Sequence, residues 1–152
     1  MKKSEIINYL NIITCYLLVF LFTYTGVSKL IDQESFFTSI LQSPIIRNYA
    51  TILSWAIPVF ELLIVAMLLT ERYKKTGLLF SFLLMTIFTL YITYMVLFIP
   101  HLPCSCGGVL KELSWSNHIL FNCIVLILII TTLLSTKHNL FIAINRKSRI
   151  PV

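Results

Sequence analysis

The stretch Leu102–Leu110, LPCSCGGVL, places two thiols one residue apart behind a proline and ahead of two glycines. Thiols at this spacing can exchange disulfides, hold a soft metal ion, or form a small structural ring. The geometry separates these uses. Two residues of fully extended chain span up to about 7 Å, whereas a disulfide prefers Cα atoms about 5.5–6 Å apart with a fixed dihedral. Joining Cys104 to Cys106 therefore needs a bent backbone, and Gly107 and Gly108 relax the flanking chain. A strained disulfide is readily reduced and exchanged. A purely structural bridge between such close neighbours would constrain almost no loop and contribute little entropy. Copper(I) handling stays open, since thiolates and thioethers suit that ion, with His101 as a third group. The two central methionines, Met85 and Met95, lie outside the loop. Zinc calls for about four ligands, more than the local sequence offers, so no metal site is assigned.

What these thiols do depends on the compartment they face, and that depends on the surrounding chain. The 152 residues are 58% hydrophobic and only 12% charged, against about 25% charged residues in soluble domains. Four apolar runs, 6–27, 49–69, 77–99 and 116–135, approach or exceed the roughly 20 helical residues that cross about 30 Å of hydrocarbon. The expected fold is an all-α, integral membrane four-helix bundle forming a single unit. The first run is too long for the apolar region of a cleaved signal peptide and lacks a suitable cleavage site, so it is expected to stay as a helix. The net charge of +6 lies in short clusters between runs, which argues against a nucleic-acid surface and marks topology instead.

With the N-terminus inside, one side holds Lys2, Lys3, Arg72, Lys74, Lys75, Lys137, Arg146, Lys147 and Arg149, and the other holds Lys29, Arg47 and Lys111. Nine against three follows the positive-inside bias. Both termini are then cytoplasmic, the basic tail 136–152 lies along the inner surface, and Cys104 and Cys106 face outward. In a bacterial inner membrane that side is the oxidising periplasm, where disulfides persist.

Several polar residues sit within or beside the apolar runs. Glu61, in IPVFELL, is the one acid inside a span, an expensive position that calls for a partner. Lys29, in TGVSKLID at the outer end of the first run, is the candidate, either as an ion-pair lock between two helices or as part of a chemical site. Pro58, one turn earlier, removes a helix hydrogen bond near that pair. Between the first and second runs, SFFTSILQS places Phe36, Phe37, Ile40 and Leu41 on one helical face, the pattern of a short interfacial helix roofing the bundle. His118 and Asn122 share a face of the fourth helix at i,i+4 spacing, and His118 is a candidate for lowering a thiol pKa or moving protons. Cys123 is read as packing or as a relay thiol for Cys106, and Cys15 as a buried apolar residue.

Taken together, YTGVSKLID, then IPVFELLIVAMLL, then LPCSCGGVL followed by LSWSNHILFN, resemble the MauE/DoxX family of redox-associated membrane proteins. The resemblance runs from about Tyr24 to Asn122, and its most specific part is the Cys-x-Cys-Gly-Gly loop followed by Ser-Trp and His. It implies a role in disulfide formation while a periplasmic enzyme subunit matures, with Cys104 and Cys106 as the exchanging pair. Membrane disulfide oxidases that reduce quinone usually use two communicating thiol pairs. Here only Cys15 and Cys123 remain, at different depths. That departure leaves a quinone cofactor open and points toward helping a thioredoxin-like partner. A non-catalytic membrane scaffold is the rival reading, so the sequence does not decide whether the chain is an enzyme.

Overall fold

A computed structural model describes the backbone of residues 3–98 and 115–147 and the side chains of 5–98 and 117–135. The described residues are helical throughout, joined by short turns. Helix α1 spans Lys3–Ile31, α2 Gln33–Leu41, α3 Ala50–Leu69, α4 Lys74–Phe98 and α5 Trp115–Lys147, with one 3₁₀ turn at Arg47–Tyr49 before α3. Four of these helices are long and apolar enough to cross a bilayer. The protein is a multi-pass membrane protein with an all-α bundle fold.

Each long helix carries a buried stripe at helical spacing. On α1 it runs through Cys15, Leu18, Phe22 and Lys29. On α3 it is Ala50, Ser54, Pro58, Glu61, Ile64 and Leu68, and on α5 it is His118, Asn122, Val125, Ile129 and Thr132. The opposite faces are apolar too and lie open, with Tyr16 70%, Phe20 68%, Ile52 68% and Leu90 66% exposed. Helices that are apolar on every side belong in lipid, and a soluble monomer does not leave that much contiguous apolar surface uncovered.

Inside the spans, hydroxyls return their hydrogens to their own helix: Thr14 donates to the Leu10 carbonyl, Thr86 to Phe82, Thr89 to Met85 and Thr93 to Thr89. Lipid offers no water to satisfy such groups, so local bonds of this kind let Ser and Thr enter the membrane cheaply. Helix α3 continues through Pro58, which is buried.

The main helix contacts run in a ring, α1 to α3, α3 to α4, α4 to α5 and α5 back to α1. Helices α3 and α5 therefore face each other across the bundle. Two glycines set close approaches in this ring. A Cβ at Gly26 would meet Leu62 and the Pro58 carbonyl at 3.3 Å, and one at Gly77 would meet the Leu68 backbone nitrogen at 3.1 Å. The first lets α1 lie against α3, and the second folds α4 tightly back on α3.

Helix α2 begins just after a break at Asp32, whose amide donates to Ser28 and whose carbonyl accepts from Phe36. It corresponds to the short helix read from SFFTSILQS, but its apolar face is narrower than that reading. Phe36 and Ile40 are buried against Ala50, with Phe37, Ile46, Leu53 and Ile57 packed around them, whereas Leu41 is 46% exposed. Gln33 donates to Ser54 at 3.2 Å, tying α2 to α3. The helices also extend beyond several of the apolar runs: α1 reaches Ile31, and α5 passes Ser135 to Lys147, into the segment read as a surface tail. Helix propensity does not stop where hydrophobicity stops.

Candidate functional site

Lys29 lies in the last turn of α1 and Glu61 midway along α3. Both occupy positions where the helical period demands a core residue, so both are carried inward. They form an ion pair, Lys29 Nζ to Glu61 Oε1 at 2.5 Å, with the two side chains 8% and 2% exposed. The ammonium also stands 5.5 Å from the Phe36 ring centroid on α2 and 5.4 Å from that of Phe88 on α4. Aromatic faces at this range attract a cation, and more so away from water. Lys29 therefore does not reach outward to the surface. It is turned into the bundle and held by three other helices.

The carboxylate is only half satisfied. Its second oxygen, Oε2, is buried and has no hydrogen-bond partner among the described residues. Thr25 lies beside the carboxylate, but its hydroxyl donates to the Leu21 carbonyl at 2.9 Å. A buried acceptor left unpaired costs roughly 1–3 kcal/mol, more for a charged group. Such an atom marks a place where something else is expected to donate.

A cavity of about 230 Å³ opens beside this pair, lined by residues of α1, α2, α3, α4 and α5. Most of the lining is apolar, including Leu21, Phe22, Ile57, Met85 and Phe88. The polar lining comes from two sides. Lys29, Glu61 and Thr25 stand on the α1–α3 side, and His118 and Asn122 on α5. His118 and Asn122 are buried, one turn apart, so the shared face read from their spacing is turned inward. The i,i+4 spacing placed Asn122 on one face with His118; the structure adds that this face lines the cavity opposite Glu61.

The cavity occupies the end of the bundle where α1 and α4 finish and α3 and α5 begin. In the chain, the segment carrying Cys104 and Cys106 lies between α4 and α5. Cys104, Cys106 and His101 themselves lie outside the described residues. Of the other thiols, Cys15 is buried in the core with Leu18 and Phe22, as its apolar setting suggested, and Cys123 is exposed; both are free. Cys123 corrects the packing reading, because it follows inward-facing Asn122 on α5 and so turns toward the outer face. Met85 and Met95 are buried on α4, where they act as core residues.

The family model described as methylamine utilisation protein MauE matches residues 7–135, most of the chain. None of the curated proteins and none of the solved structures compared with the chain gives a significant match.

Proposed function

Since the chain belongs to the MauE family, we propose that it is a membrane thiol–disulfide protein that assists disulfide formation or maturation in a partner outside the cytoplasm. The observation that carries this reading is the Cys104-Ser105-Cys106 spacing in the segment between two spans. When oxidised, the pair accepts two electrons from a partner dithiol. A partner thiolate attacks one sulfur and releases the other as a thiolate. The partner's second thiolate then resolves the mixed disulfide, leaving the partner oxidised and Cys104 and Cys106 reduced. Restoring the pair needs a separate oxidant, and the partner in the exchange is a periplasmic or thioredoxin-like protein. Both termini are assigned to the cytoplasmic side of a bacterial inner membrane on the charge distribution. The family description points to proteins of methylamine utilisation as the class of client.

A second reading, a non-catalytic assembly subunit, draws support from the remaining thiols. Cys15 is buried and Cys123 faces outward on another helix, so neither is arranged as a second relay pair. Complementation distinguishes the two readings. Cys104→Ser and Cys106→Ser should each abolish client maturation if the thiols act, and a single mutant whose remaining thiol attacks the oxidised partner, with no neighbour to resolve the bond, should trap a mixed disulfide identifiable by mass spectrometry. Full maturation by the thiol-free double mutant would establish the scaffold reading instead.

A further inference from the structure

The lipid-facing side of α1 carries an open groove of about 470 Å³. Its walls are two i,i+4 rows, one from Phe20 through Tyr24 to Asp32 and the other from Thr23 to Ile31. A groove between such rows is what the ridge of a second helix packs into. The Phe20 and Tyr24 rings stack with centroids 6.4 Å apart, which stiffens one wall. In the groove, the Thr23 and Ser28 hydroxyls donate to no other described residue. Thr14 and Thr25, by contrast, return theirs to the preceding turn of α1. Lipid tails offer an unbonded hydroxyl nothing. At the α2 end of the groove, Asp32 is exposed and its side chain caps no helix. Neither ion pair among the described residues includes it. The groove therefore fits a helix that brings a cation at this end and a polar side chain one turn further in.

The chain itself carries that helix. The row Arg47, Thr51, Trp55, Val59 and Leu63 is exposed along its whole length. Arg47 lies in the 3₁₀ turn that precedes α3, at the end of the bundle where α1 finishes, and it too belongs to neither ion pair. Helices α1 and α3 leave this end side by side, and four residues rise about 6 Å in each. Successive levels then match Asp32 with Arg47, Ser28 with Thr51 and Tyr24 with Trp55. We propose that the protein self-associates in the membrane, the α3 ridge of a second copy seating in the α1 groove with its Arg47 against Asp32. Copies of one chain enter the membrane the same way round, so these levels coincide between copies. Since α1 and α3 are neighbours in the ring, a twofold axis along the membrane normal makes the contact twice.

The test mixes donor- and acceptor-labelled full chains in liposomes of phosphatidylethanolamine and phosphatidylglycerol. Reductant is present so that no disulfide contributes, and energy transfer is followed as added lipid dilutes the protein. Saturable transfer between paired copies is expected. Asp32→Lys and Arg47→Glu should each weaken self-association about tenfold, because each sets like charges together in both contacts. Mixed with one another, the two variants should regain wild-type transfer, since both contacts of the mixed pair again join opposite charges. Thr23→Trp fills the groove from an exposed position and should abolish transfer while keeping wild-type helicity. Absence of saturable transfer in the wild type overturns the proposal and leaves the groove to lipid or to a helix of another protein. Variants that fail to recover on mixing overturn the Asp32–Arg47 contact, and unchanged transfer in a folded Thr23→Trp chain overturns the groove as the seat.

Discussion

Lys29 and Glu61, 32 residues apart in the chain, meet at 2.5 Å with both side chains almost fully buried. Neither charge has water to fall back on, so each depends on the other. Lys29→Met should leave an unpaired carboxylate and Glu61→Gln an unpaired ammonium, each costing about 3–5 kcal/mol. Removing both in Lys29→Met/Glu61→Gln should cost clearly less than the two single losses combined. Reversible unfolding in mixed micelles measures this cycle. Additive losses would show that the two groups are not coupled.

Gly26 tests the contact that brings the pair together. A Cβ there would stand 3.3 Å from Leu62 side-chain atoms and from the Pro58 carbonyl. Gly26→Ala asks both the Leu62 side chain and the Pro58 carbonyl to give by a few tenths of an ångström. Gly26→Val asks the backbone itself to move, and should destabilise by about 1–3 kcal/mol through overpacking. Thermal unfolding in detergent should rank Gly, Ala and Val in that order. A valine variant as stable as the parent would mean that α1 and α3 are not closely apposed.

Thiol accessibility should divide the four cysteines. In intact cells after mild reduction, a water-soluble maleimide should modify at least one of Cys104 and Cys106, because reactivity requires an exposed thiolate. Cys15, buried in the bundle, should stay unmodified. Without reductant, Cys104 and Cys106 should be recovered bonded to each other or to a partner. Mass spectrometry reads each site separately. A pair that stays reduced and unreactive in oxidising buffer would end the redox reading.

Topology follows from charge. Reporter fusions after Lys75 and within Leu102–Leu110 should report opposite sides of the membrane, the first cytoplasmic. The same side for both would remove the argument that the thiols meet an oxidising compartment.

How far the sequence reaches can be seen residue by residue. The four spans and the short helix after the first were legible, because apolar length and period set them directly. The partnership of Lys29 with Glu61 was legible for a different reason. A lone acid in a span needs a counter-charge, and one base stood at the end of the neighbouring helix. The arrival of His118 and Asn122 at the same cavity was not legible, since it depends on α5 closing the ring against α1. Nor was the outward turn of Cys123, because a small residue at a span position carries little directional signal. The helix ends also escaped, as α5 continues past the last strongly apolar residue.

The ring order of the helices also bears on how the protein enters its membrane. Lys29 and Glu61 belong to the first two spans, with only α2 and the 3₁₀ turn between those spans. When synthesis proceeds from the N-terminus, base and acid can neutralise one another as soon as α3 has emerged, before α4 or α5 exists. The pair can then pass into lipid as a compact dipole instead of as two naked charges. His118 and Asn122 come last, on the helix that completes the ring. A nascent chain halted after α3 would already hold both partners of its ion pair and would have no chamber beside it.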